Sequence, residues 1–200
     1  MGVLGGYGQF AKNNERSEFN LAAGAWEILE PDRADRVEPG PCRRSLDFPP
    51  IPDATGRRLF VVGGEGSRSG KQGEQTPGWR GYNGQFHYLD DVWELNLATN
   101  AWRCVLPPGC FDPRGLRAAA YFPAVEGLVL FEGLGANVVN SEPARTWLLR
   151  PGRDRKPIRL PAEGEPSRLA RAWAWTFDPR DGDLLMFADD GIFRLALKLA

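Results

Sequence analysis

A seven-residue motif occurs twice in the chain and constrains the fold more than any other feature. Residues 20–26 (NLAAGAW) and residues 96–102 (NLATNAW) are identical at five of seven positions and lie 76 residues apart. Because the matched positions include a Trp, a rare residue type, the two segments are interpreted as copies of one structural unit. The chain is therefore predicted to consist of repeats separated by loops of unequal length.

Four short apolar runs are predicted to form the second strand of each repeat. Each run is β-rich, too short for a helix, and ends at Gly or Asp. The runs are residues 2–6, 59–64, 128–133 and 184–189. A Pro-to-Gly turn precedes each of the last three, which predicts a hairpin with a preceding first strand. These first strands are predicted at residues 45–51, 117–122 and 172–177.

Two further strands complete the predicted repeat. The third alternates polar and large apolar residues, as a half-buried strand does, and carries an aromatic side chain. The fourth carries Trp26, Trp102 or Ile158. The repeat is thus a four-stranded antiparallel meander, and a period near 50 residues is typical of β-propeller blades. The predicted fold class is all-β, a single propeller region over residues 1–200, with blades at about 1–30, 43–105, 114–161 and 168–200, the first and last incomplete.

The Gly-Gly pairs, the Asp-Val-Trp segment and the later Trp resemble the kelch repeat, whose propellers include the central domain of galactose oxidase. The motif residues are Gly5, Gly6, Trp26, Gly63, Gly64, Asp91, Trp93, Trp102, Gly133 and Trp147. The second blade matches well, whereas the third has Glu132 and the fourth Ala188 in place of the first Gly. The resemblance implies glycines at positive φ near strand ends and Trp side chains that fill the wedge between blades.

Kelch propellers usually close with six or seven blades, whereas this chain supplies about four. We expect either that the chain is part of a longer propeller, or that it closes as an unusually small ring or with a second copy. Open blade edges favour self-association.

Two groups of residues are candidates for binding, on the propeller face where the connections between blades lie. The long loop at residues 65–89 holds Trp79, Arg80, Tyr82 and His87, and a loop of this length is either functional or disordered. Arginines also precede the innermost strands, namely Arg43, Arg114, Arg117, Arg168 and Arg171. Converging guanidinium groups favour a small acidic ligand or a carboxylate-bearing protein partner. Alternatively, each Arg bonds carbonyl or acidic groups of the adjacent blade.

Composition and motifs argue against several other classes of function. The net charge of −1 argues against nucleic-acid or membrane binding through bulk charge. The sequence shows no signal peptide and no transmembrane segment, so a cytoplasmic location is expected. The three cysteines form no CxxC pair and His87 is the single histidine, so neither a metal site nor a cofactor is predicted.

The predicted function is a binding scaffold rather than an enzyme, because no catalytic constellation is recognisable. The alternative is a propeller enzyme acting on sugars, with its catalytic residues outside this chain. The resemblance to galactose oxidase implies copper chemistry with two His ligands, which a chain with one histidine cannot supply on its own.

Overall fold

The computed structural model describes residues 2–7, 12–31, 40–41, 44, 49–67, 80–82, 86–89, 91–107, 110, 116–132, 145–161, 174–178, 183–188 and 191–196. Over these residues the protein is all-β, with antiparallel sheets joined by turns. The one helical element in the same ranges is a 3-10 turn at Pro123–Val125. None of the helices in the described part of the chain is long and apolar enough to cross a membrane.

Sheet 1 contains β1 (Gly2–Tyr7), β2 (Lys12–Asn20) and β3 (Ala25–Glu30), in the order β1-β2-β3. The glycine pair was expected to end β1, but the strand continues through it to Tyr7. The pairing of β1 with β2 shifts register between Leu4 and Gly6. The glycines therefore lie at an irregularity inside the strand, where absent side chains ease a local change of twist.

Sheet 2 contains β4 (Ile51–Pro52), β5 (Arg58–Val62), β9 (Val92–Asn96) and β10 (Ala101–Leu106), in the order β10-β9-β5-β4. The predicted hairpin turn closes with a hydrogen bond of 3.1 Å from the Gly56 N–H to the carbonyl of Asp53. Beyond β5, Gly63 and Gly64 have φ values of 55° and 102°. Both glycines adopt the positive φ that the kelch resemblance implies, which residues with a Cβ rarely adopt.

A smaller sheet lies between the second and third strands of sheet 2 in the sequence. It contains β6 (Glu65–Ser67), β7 (Arg80–Tyr82) and β8 (Phe86–Tyr88), in the order β6-β8-β7. The sequence did not indicate this sheet, because strands of three residues are too short to show an alternating pattern.

Sheet 3 contains β11 (Leu116–Phe122), β12 (Gly127–Glu132), β13 (Thr146–Leu149) and β14 (Ile158–Leu160), in chain order. Sheets 2 and 3 thus have the predicted four strands each. Sheet 4 contains β15 (Ala174–Asp178), β16 (Asp183–Ala188) and β17 (Gly191–Leu195), also in chain order. The Pro-to-Gly turn predicted at residues 179–182 lies outside the described residues.

The chain divides into two compact units, one of Met1–Pro50 with Arg57–Asp112 and one of Ile51–Gly56 with Pro113–Ala200. The core of the first unit joins two sheets, because Leu4 packs against a cluster of Val61, Leu95 and Trp102. The core of the second unit likewise joins sheets 3 and 4. Its buried members are Ala118, Ala120, Phe122, Val129, Phe131, Leu148, Leu184 and Met186.

Candidate functional site

The two copies of the seven-residue motif form the same turn, in sheet 1 and in sheet 2. In the first copy, Oδ1 of Asn20 accepts hydrogen bonds of 3.0 and 3.1 Å from the backbone N–H groups of residues 22 and 23. In the second, Oδ1 of Asn96 accepts bonds of 2.9 and 3.2 Å from those of residues 98 and 99. The fifth position is left-handed in both copies, with φ of 63° at Gly24 and 56° at Asn100. The two copies therefore form equivalent turns, each of which leads into the strand that carries the motif Trp.

This equivalence places Trp26 and Trp102 at the same position of their sheets. Trp26 pairs with Phe19 on the preceding strand, and Trp102 pairs with Leu95. Because side chains alternate across a strand, each sheet has two faces. We define the front face of a sheet as the face that carries the Trp of the fourth strand of the repeat or the aromatic residue of its third strand. The opposite face is the back face. The residues that define the front faces are Trp26 in sheet 1, Trp93 and Trp102 in sheet 2, Trp147 in sheet 3 and Phe193 in sheet 4.

In the first unit, the front face of sheet 2 packs on the back face of sheet 1. Trp102 is only 7% exposed, and its indole Nε1 donates to both carboxylate oxygens of Glu30, at 3.0 and 3.1 Å. Glu30 pairs across the strands with Arg16, and the Arg16 Nε lies 3.1 Å from Oε1 of Glu30. Arg16 also donates to Oδ1 of Asn100 in the sheet 2 turn. The Trp102 ring, whose indole N–H is hydrogen-bonded to Glu30, thus packs between the two sheets.

The second unit repeats this packing. Val129 and Leu148 lie opposite each other on the back face of sheet 3. Met186 and Phe193 lie opposite each other on the front face of sheet 4. All four belong to one apolar cluster, with Phe193 partly buried at its margin. A front face covered by the back face of the preceding sheet is therefore observed twice.

The front face of sheet 1 is exposed, in contrast to those of sheets 2 and 4. Trp26 is 49% exposed and Ile28 is 63% exposed, although Trp26 is the counterpart of buried Trp102. The Trp26 ring contacts Phe19 edge-on, with ring centroids 5.4 Å apart and planes at 64°. The expectation that the motif Trp residues fill a wedge between blades thus describes Trp102 but not Trp26. We call Phe19, Trp26 and Ile28 the sheet 1 front surface, and it is the candidate binding site.

The motif residues Asp91 and Trp93 belong to a buried polar network with Arg44. Arg44 donates to Oδ1 and Oδ2 of Asp91, at 2.6 and 2.8 Å, and to the carbonyl of Gly63 at 2.7 Å. The Trp93 indole Nε1 donates to Oδ2 of Asp91 at 2.7 Å. Arg44 and Asp91 are both buried, so the bidentate pair is shielded from water. Arg44, the neighbour of predicted Arg43, thus bonds a carboxylate and a carbonyl next to the ends of two strands of sheet 2.

The residues predicted to bind a ligand are only partly covered by the structure. Those outside the described residues are Arg43, Trp79, Arg114, Arg168 and Arg171, together with the motif residue Gly133. The backbone of Arg117 belongs to β11. The small sheet brings together the backbones of Arg80, Tyr82 and His87, with His87 of the central strand opposite Gly66 and Gly81.

The cysteine and metal chemistry of the described region is limited. Cys104 and Cys110 carry free thiols. Partial burial, followed by the negative charge of Asp91, raises the pKa of the Cys104 thiol and so lowers its reactivity. Across the described ranges, no three His, Cys, Asp or Glu side chains are grouped closely enough to hold a metal ion.

Sequence reasoning did not single out the sheet 1 front surface as a site. Its residues looked like ordinary core positions, because the pattern shows which side chains share a face but not whether another sheet covers that face. The difference becomes apparent only in the structure, where Trp26 is exposed and its counterpart Trp102 is buried. No protein-family model and no curated protein matches the sequence, so the assignment of this surface depends on the geometry.

Proposed function

We propose that the chain is a kelch-type propeller region, whose four sheets are blades, and that it acts as a scaffold that binds other proteins. The meander order of the strands, the two equivalent turns and the repeated front-on-back packing support the blade assignment. Each of these features is expected of a repeat protein, in which a sheet needs a neighbour to bury its apolar faces.

The observation that carries the binding proposal is the exposure of the sheet 1 front surface. A Trp and an Ile side by side on a strand offer apolar area that water solvates poorly, and burying each would contribute on the order of 1–2 kcal/mol. Trp is also enriched among the residues that dominate binding energy at protein interfaces. The surface is supported by a three-stranded sheet, so its side chains are positioned before a partner arrives.

A protein partner fits this surface better than a nucleic acid or a free sugar. Its three residues, Phe19, Trp26 and Ile28, carry no formal charge, and Ser17, which lies opposite Ile28, already donates its hydroxyl to Glu15. Phosphate groups are bound mainly by Lys, Arg and polar donors, and a sugar needs hydrogen-bonding groups beside the aromatic ring. An aromatic and aliphatic strand face is the chemistry that covers another apolar protein surface.

Site-specific photo-crosslinking in the native cells tests this proposal. Ile28 is replaced by the photoreactive residue p-benzoylphenylalanine, and in a matched protein exposed Arg155 is replaced by the same residue. We expect a defined protein adduct from position 28 and none from position 155, with the crosslinked peptides identified by mass spectrometry. Absence of an adduct at position 28, or equal adducts at both positions, would contradict a binding role for this surface.

A further inference from the structure

The two units show one packing rule, by which a front face is covered by the back face of another sheet. Sheet 2 follows the rule through Trp102 and Leu95, which pack with Leu4 of sheet 1. Sheet 4 follows it through Leu184 and Met186, which pack with sheet 3. Val61 of sheet 2 and Met186 of sheet 4 occupy the same position, each opposite the aromatic residue of the next strand, so the two interfaces indicate what kind of surface a front face accepts.

Among the described residues, the front face of sheet 1 and the back face of sheet 4 carry large exposed apolar side chains. The exposed front face is the sheet 1 front surface, with Trp26 and Ile28. The exposed back face belongs to sheet 4, where Ile192 is 67% exposed and lies opposite half-buried Phe187. Leu185 continues this face between exposed Thr176 and exposed Arg194, and Arg194 forms an ion pair with Asp183 on the same face. We call Thr176, Leu185, Phe187 and Ile192 the sheet 4 back surface.

We propose that the sheet 1 front surface of one copy packs on the sheet 4 back surface of a second copy, so that the chains associate head to tail. This inference rests on the proposed function, because it names the partner of the same surface. Each surface carries exposed aliphatic or aromatic side chains, and one is a front face and the other a back face, as in the two observed interfaces. The charge of Arg194 on the sheet 4 back surface is already paired with Asp183. Each copy has a net charge of −1, so long-range repulsion between copies is weak.

The proposed interface is heterologous, meaning that two different surfaces meet. Such an interface closes into a ring if the rotation between copies allows it, and otherwise grows into longer assemblies. Two copies would contribute twice the four sheets proposed as blades, the smaller sheet of β6, β7 and β8 not being counted, and eight is within the range of roughly 4–8 blades known for propellers.

Two single variants and their mixture test the proposal by sedimentation velocity over a range of protein concentrations. Ile28→Arg places a charge on the sheet 1 front surface, and Ile192→Arg places one on the sheet 4 back surface. Each variant alone is expected to weaken self-association by at least about 30-fold, since an apolar interface does not accommodate an unpaired charge. Ile158→Arg, at another exposed isoleucine, serves as the control and should associate like the wild type.

The mixture of the two variants distinguishes head-to-tail packing from other geometries. The Ile28→Arg copy keeps an intact back surface and the Ile192→Arg copy keeps an intact front surface, so the mixture should form 1:1 dimers and nothing larger. Association that survives in Ile192→Arg alone, or a mixture that stays monomeric, would overturn the proposal, and so would a monomeric wild type. Circular dichroism confirms that each variant is folded.

The outcomes also separate this inference from the binding function. If photo-crosslinks from position 28 identify a different protein while the wild type is monomeric, the scaffold proposal stands and the second-copy partner is wrong. If position 28 gives no adduct at all, the binding function itself is wrong.

Discussion

The pairing of Arg44 with Asp91 shows what single residues contribute to this fold. Both charges are buried, and the carboxylate also accepts the indole N–H of Trp93. A buried charge is tolerated only when its partners satisfy it, so each member of the network depends on the others. The pair links the segment before β4 to the start of β9, two parts of the chain that are 47 residues apart.

Asp91→Ala is expected to lower the free energy of unfolding by about 3–5 kcal/mol, because it leaves the Arg44 guanidinium buried without its carboxylate. Urea unfolding followed by fluorescence measures the change. The matched control is Arg153→Ala, which removes an exposed ion pair with Glu126 and should change stability by less than about 1 kcal/mol. Equal losses in the two variants would show that the Asp91 network is not a stabilising element.

The sequence predicted part of this network. The Asp-Val-Trp segment identified Asp91 and Trp93 through the kelch resemblance, but the arginine it pointed to was Arg43. The partners of Arg44 are 19 residues away at Gly63 and 47 residues away at Asp91, and a local pattern does not contain contacts so distant in sequence.

At the scale of elements, the hairpin between β11 and β12 has its left-handed residue and its sterically required glycine at two different positions. The Pro-to-Gly pattern predicted the turn correctly, yet the left-handed residue is Glu126, with φ of 50°, rather than Gly127. Gly127 is needed because a Cβ there would lie 2.9 Å from Cδ1 of Leu148 and 3.1 Å from the carbonyl oxygen of Leu149. The sequence marks this glycine but gives no sign of the neighbour that excludes a side chain.

Gly127→Ala should therefore destabilise the protein by about 1–3 kcal/mol through overpacking. Thermal unfolding measures the loss. Gly2→Ala is the control, because the nearest atom to a Cβ at that strand position is 3.7 Å away, an ordinary contact distance. A Gly127→Ala protein as stable as the Gly2→Ala protein would mean that the hairpin adjusts to the extra methyl group without cost.

The repeated turn shows the opposite case, in which an element is almost fully specified by its sequence. The same Asn cap and the same left-handed fifth position occur in both copies, so the local fold follows from seven residues. The fifth residue differs in one respect, since the side chain of Asn100 accepts a bond from Arg16 and Gly24 has no side chain to do so. By contrast, no local sequence pattern indicated the small sheet of β6, β7 and β8.

At the scale of the whole molecule, two equivalent tryptophans differ in exposure, with Trp26 at 49% and Trp102 at 7%. Side chains alternate along each strand, so a sheet has two faces to cover, and the sequence predicted most of the strands in sheets 1 to 4. It was not sufficient to identify the open face, because Trp26 and Trp102 occupy the same motif and differ only in whether another sheet covers them. The candidate site therefore becomes visible only when the packing of entire sheets is compared.

Hydroxyl-radical footprinting of the dilute, monomeric protein tests this asymmetry most directly, because it compares the two tryptophans within one molecule. We predict that Trp26, at 49% exposure, is oxidised several-fold faster than Trp102, at 7% exposure, when the labelled peptides are quantified by mass spectrometry. Equal oxidation rates, or faster oxidation of Trp102, would contradict the claim that sheet 1 presents an open front face.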